Sequence, residues 1–186
     1  MDEPERGGSP VAFRRAIVAD AAAIARVHAE GWRWGYRGLL PDAFLAGLLA
    51  RPSLDHRETF WRALLGAEPR THHTWVAVRD HRILGFCDTG PSRDSDATPG
   101  VAEIGALYLE EQAAGKGIGR ALFATAIAGL KESGYVEATL WVLETNARAR
   151  RFYEAAGWRP DSAKKTEPGP GVSLAEVRYR LPWGRE

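Results

Sequence analysis

The sequence predicts a mixed α/β fold, a single sheet with helices packed on its faces. Three observations predict it. β-Type runs and segments of helical period share out the 186 residues. Three strand-like runs, Thr74–Val78, Arg82–Thr89 and Val101–Leu109, follow one another with no helix between them, as in an antiparallel meander. A helix and then another strand come next, the pattern of a parallel crossover.

Val11 to Val18 alternates as a strand does, and Asp20 offers an N-cap to a helix whose apolar face carries Ile24, Val27, His28 and Gly31. His28 on that face reads as a core histidine. Pro41 and Asp42 open a second helix through Leu49, and a third runs from about Ser53 to Leu65. "RDHR" joins the first two strands of the meander as a hairpin. "GPSRDSDATPG" is a polar loop, and Gly105 inside the third strand marks a bulge or a close backbone approach. Leu122, Phe123, Ala126, Ile127 and Leu130 line a helix that stops near Gly134. Glu137–Leu143 is a strand. Asn146 caps a helix with Ala149, Phe152, Tyr153 and Ala156 on its apolar face, and Gly157 ends it. The loop "EPGPG" precedes a last strand from about Leu174 to Leu181.

Residues 1–10 read as a polar tail and 11–183 as one domain. The tail lacks the basic and apolar regions of a secretory signal, and no stretch of about 18 apolar residues occurs, so the expectation is a soluble cytoplasmic protein that does not enter a membrane. The formal charge of +1 argues against non-specific nucleic-acid binding. Cys87 is the single cysteine, which excludes an intrachain disulfide and a cysteine-based zinc cluster; its apolar strand setting reads as burial. The five histidines show no metal-binding spacing, so no metal is expected.

The stretch "EEQAAGKGIGRAL" places Gly115, Gly117 and Gly119 at a turn that runs into a helix. Such a turn suits phosphate, because bare glycines let successive backbone N–H groups point into one concavity at the positive end of a helix. Two familiar phosphate loops fail. Lys116 is followed by Gly117 rather than Ser or Thr, which excludes a P-loop, and the sixth position from Gly115 is Arg120, which excludes the dinucleotide fingerprint.

The spacing Gln112-x-x-Gly115-x-Gly117, continued by Ile118 and Gly119, resembles the acyl-coenzyme A loop of the GNAT superfamily, the Gcn5-related N-acetyltransferases. "NARARRFYEAAGW" (146–158) resembles the superfamily's later motif, "AEIGALYL" (102–109) its bulged pyrophosphate-side strand, and "GWRWGYRGLLPDAFL" (31–45) the helical region that closes over the acceptor. The resemblance covers Val11 to Trp183. It implies a mostly antiparallel central sheet with helices on both faces, acetyl-CoA as co-substrate, and transfer of the acetyl group to an amine.

An alkyl ammonium with a pKa of about 10 must lose a proton before it attacks, and a thiolate leaving group with a conjugate pKa of about 8.5 benefits from a proton donor. The resemblance makes Tyr153 the candidate acid; its apolar helix face leaves a core role open. Glu103 is the candidate base, with a salt bridge or a solvated edge as its alternative. Backbone groups of Leu107, Tyr108 and Leu109 are expected to meet the pantetheine amides. Gln112, Gly115, Lys116, Gly117, Ile118, Gly119 and Arg120 are expected around the pyrophosphate. Asn146 is expected at the cofactor arm, or as a plain cap. Arg148, Arg150 and Arg151 read mainly as a solvated face. Trp32, Trp34, Tyr36, Arg37 and Trp141 are candidates for the acceptor pocket, where aromatics attract a cation and Arg37 suits a carboxylate. The expected acceptor is a small-molecule amine. A protein N-terminus or lysine, or a silent acetyl-CoA sensor, are the alternatives, and a homodimer is possible.

Overall fold

The computed structural model describes residues 9–168 and 173–183. Residues 1–8 of the expected tail and the glycines of "EPGPG" therefore lie outside the described residues. The seven strands are β1 (Ala12–Arg15), β2 (His73–Arg79), β3 (Arg82–Pro91), β4 (Val101–Leu109), β5 (Glu137–Leu143), β6 (Arg159–Pro168) and β7 (Ser173–Pro182). The helices are α1 (Ala21–Gly35), α2 (Asp42–Gly47), α3 (Arg51–Gly66), α4 (Ile118–Glu132) and α5 (Ala147–Ala155). The sheet runs β1-β2-β3-β4-β5-β7-β6. Only β4 and β5 pair in parallel, across the α4 crossover, so the fold class is the one the sequence predicts.

The chain reverses between β2 and β3 at Asp80 and His81, whose φ angles of 49° and 63° are those of a two-residue hairpin turn. Alternation along the strands then supplies two cores. Phe86 faces α1 and α3, packing with Ile24, Val27, Trp61, Leu65 and Val76. Its neighbour Cys87 faces the other way, with Leu122, Phe123, Ala126 and Leu130 of α4. Cys87 is fully buried, as expected, and burial pushes its thiol well up from the usual range. His28 is a core histidine, boxed by Trp32, Trp61, Phe86 and Tyr108, and its burial pushes it down to about 3.

Three local expectations change. The first strand stops at Arg15, because the chain turns at Val18–Asp20. Asp20 holds that turn rather than capping α1: its carboxylate accepts from the Ile17 amide at 2.8 Å and from Arg14 at 2.7 and 2.9 Å. The third change is β6, an outer strand the sequence did not announce. Its ten residues, RPDSAKKTEP, carry two prolines and no apolar alternation, and it is held by pairing with β7 alone. Among the described residues no helix is long and apolar enough to cross a membrane.

Candidate active site

The two edges of β4 set the site. Toward β3 it is paired from Ala102 to Leu109. Toward β5 pairing covers only Val101–Glu103 against Glu137–Thr139. The register shift between Asp88 and Thr89 leaves Gly105 as the extra residue of a bulge, as its position in the sequence suggested. Beyond it the two strands part, and a cleft of about 660 Å³ opens between them.

Leu107, Tyr108 and Leu109 line this cleft along β4, with Leu140, Trp141 and Val142 along β5. Backbone groups on this edge of β4 lack a neighbouring strand and suit amides of a bound ligand. One of them is already used: the Trp34 indole donates to the Leu109 carbonyl at 2.7 Å.

At one end of the cleft the chain enters α4. Gly115 and Gly117 have φ angles of 74° and 78°, left-handed values that a side chain would strain. Gly117 is the N-cap residue and brings no side chain to the helix start. The first helical bond runs from Ala121 to the Gly117 carbonyl, so the amides of Ile118, Gly119 and Arg120 have no partner within the helix. Gly115, Gly117, Gly119 and Arg120 line the cleft. The Lys116 side chain is exposed and outside the lining, and Ile118 is buried in the core beneath. Gln112 is exposed in a separate, smaller pocket with Arg33, Arg37 and Glu111.

The start of α5 forms another wall. Asn146 is buried, lines the cleft and caps its helix, accepting from the Ala149 amide at 3.1 Å. Arg148 is exposed, as the sequence suggested, yet it makes two contacts with the end of α1. Its guanidinium lies 4.1 Å from the centre of the Trp34 ring and donates to the Gly35 carbonyl at 3.2 Å, tying α5 to the end of α1. Tyr153, on the next turns of α5, lines the cleft among Phe123, Phe152, Trp158 and Tyr179. Burial pushes its phenol up from the usual tyrosine value, with smaller contributions from Tyr36 and Cys87. The group therefore stays protonated through the neutral range.

On the α1 side, Tyr36 lines the cleft, and its hydroxyl lies 3.2 Å from that of Tyr108. Trp141 also lines it, but its face is taken: the Lys165 ammonium lies 4.5 Å from the ring centre and the Arg178 guanidinium 5.6 Å, while its indole donates to Asp94 at 2.9 Å. The remaining acceptor candidates fall outside. Trp32 packs against His28, Tyr36, Phe44 and Tyr108. Arg37 is exposed and meets Glu111 at 3.4 Å.

Glu103 is buried and does not line the cleft. Arg93 holds its carboxylate with the guanidinium, at 2.6 and 3.2 Å, and with the backbone amide, at 3.2 Å. The salt bridge, given as its alternative, is what the structure contains. Sequence reasoning did not single out Gly31 and Gly35 of α1 or Ala106 of β4, which also line the cleft. The signal for them was their place inside the two quoted stretches, Gly31 and Gly35 in 31–45 and Ala106 in 102–109.

The mostly antiparallel sheet thus splits at its one parallel pair of strands, with a bare helix start at the split. The sequence model of the acetyltransferase (GNAT) family matches residues 36–158, and the chain belongs to that family. A probable N-acetyltransferase of Mycobacterium tuberculosis, Rv2775, is 29% identical over 93% of this chain and 94% of its own length. The uncharacterized N-acetyltransferase YuaI of Bacillus subtilis is 31% identical over 92% of this chain and 93% of its own. A spermidine N(1)-acetyltransferase of Thermoplasma acidophilum is 21% identical over 80% of this chain and 88% of its own. Among solved structures, yncA of Salmonella typhimurium, in a structure with its cofactor acetyl-CoA, has the same fold, with a TM-score of 0.69 at 21% identity over 96% of both chains.

Proposed function

We propose that the protein moves an acetyl group from acetyl-CoA to the amine of a small molecule by direct attack, with Tyr153 as general acid. One observation carries this reading: the cleft joins the bare amides at the α4 start to the Tyr153 side chain along an unpaired edge of β4. A pyrophosphate suits the α4 amides, pantetheine amides suit the strand edge, and a thioester sulfur suits the place beside the phenol. Acetyl-CoA is the cofactor in the structure of yncA, which supports the same donor here.

In this reaction the acceptor nitrogen attacks the thioester carbon, so that a C–N bond forms and the C–S bond breaks. The acceptor enters as the free amine, its ammonium having first given a proton to solvent. Tyr153 then gives its proton to the departing sulfur, and the acylated nitrogen loses one proton to a base or water. Asn146 serves as helix cap and meets the cofactor arm, and Gly115–Arg120 surround the pyrophosphate. Tyr36 and Trp141 border the acceptor. A small acceptor is supported by the aromatic crowding of this end and by the spermidine substrate named for the Thermoplasma relative.

Calorimetric titration with acetyl-CoA, followed by thiol release against a panel of polyamines, amino acids and lysine peptides, tests the reading. Binding with release driven by a small amine is the expected result. Release driven only by peptides would move the acceptor to protein. Binding without acceptor-driven release would favour a sensor, and absence of binding would overturn the proposal.

A further inference from the structure

The proposed transfer needs a group to take the acceptor's proton, and Arg93 holds the Glu103 carboxylate in an ion pair. A second polar cluster lies beside it on the same face of the sheet. The His72 Nδ1 is 3.2 Å from one oxygen of Asp88, and the Thr74 hydroxyl donates to the other at 2.7 Å. Asp88 is buried, whereas the His72 side chain is a quarter exposed. Asp88 also sits against the bulge: its Oδ2 would be 3.4 Å from a Cβ at Gly105, which lines the cleft, so the His72–Asp88 pair stands behind Gly105 and outside the lining itself. The His72 ring rests on Gly90, where a Cβ would come within 2.7 to 2.9 Å of its atoms. The imidazole is thus held on two sides, by Asp88, itself anchored on Thr74, and by Gly90, a strand residue without a side chain.

Resting on the acetyltransferase reading above, we propose that His72 is the acceptor-side base and that Asp88 is its positioning residue. An ionised carboxylate only accepts, so Nδ1 carries the proton and Nε2 keeps its lone pair. As the C–N bond forms, the acceptor N–H proton passes through a water beside Gly105 to Nε2, while Tyr153 gives its proton to the sulfur. His72 then returns its proton to solvent, and the phenol is reprotonated.

The charged and titratable groups around His72 are Asp88 on β3, Arg93 beyond it, Glu103 on β4 and the adjacent His73. The hydrogen bond to Asp88 is the largest influence and raises the imidazole above its usual value. Because the base works deprotonated, activity rises with pH as His72 loses its proton, with a midpoint above that of an ordinary histidine.

The test compares the native protein, His72→Gln, Asp88→Asn and Gly90→Ala from pH 5.5 to 9. The readouts are acetyl-CoA binding and thiol release, with spermidine or, in its absence, water as acceptor. We expect His72→Gln to bind acetyl-CoA within twofold of native, to lose about 30-fold or more in rate, and to lose the rising limb. Asp88→Asn should move that limb to lower pH, and Gly90→Ala should slow release by displacing the ring while the imidazole remains. A His72→Gln rate within threefold of native, with the limb kept, overturns the assignment and leaves the transferase reading standing. A native protein that binds no acetyl-CoA, or that releases no thiol to spermidine, to water or to any amine of the panel above, overturns both.

Discussion

The two edges of β4 teach different things. Against β3 the strand is paired along nearly its whole length, and Phe86 and Cys87 drive side chains into a core on each face. Against β5 it is paired for three residues and then released. The closed edge holds the molecule together, and the open edge is where a ligand can replace a strand. Substitutions on the two edges should therefore fail in different ways: stability on one, function on the other.

The largest effect belongs to the closed edge. Phe86 is fully buried against Trp61, at 4.9 Å between ring centres, and Phe86→Ala should cost about 3–5 kcal/mol of stability, measured by urea unfolding. Tyr153→Phe keeps the ring and removes one hydroxyl, so it should leave the unfolding midpoint close to native and lower kcat about 100-fold, or ~2.7 kcal/mol, in steady-state thiol release. Gly117→Val forces a β-branched residue to a φ of 78°. That costs roughly 1–2 kcal/mol and fills the turn, so acetyl-CoA affinity should fall about tenfold by calorimetry. The smallest effect is Arg148→Ala, which removes the stack on Trp34 and should cost about 0.5–1 kcal/mol in the same unfolding experiment. A large loss of stability in Tyr153→Phe, or a large loss of catalysis with intact folding in Phe86→Ala, would break the contrast.

The open edge was more legible in the sequence at its ends than along its acceptor wall. The glycine turn, the Asn146 cap and the bounds of β5 were readable, because each depends on neighbours within a few residues. The partner of Glu103 was not readable. Arg93 lies ten residues upstream in a polar loop, and only the β3–β4 pairing brings it over the carboxylate. Trp141 shows the same limit, since it lines the cleft but its ring face is covered. The ammonium over its ring comes from Lys165 on β6, a strand whose prolines and charges concealed it, so the indole face looked available for an acceptor. The His72–Asp88 contact likewise depends on hairpin register, which sets Thr74 opposite Asp88.

The central claim is that the open edge of β4 receives acetyl-CoA in place of a strand. Amide hydrogen exchange with and without acetyl-CoA tests it directly. The account predicts slowed exchange at Ile104–Leu109 and at Gly117–Arg120, with little change in β2 or in the paired half of β3. Protection that leaves those two segments untouched while acetyl-CoA binds would contradict it.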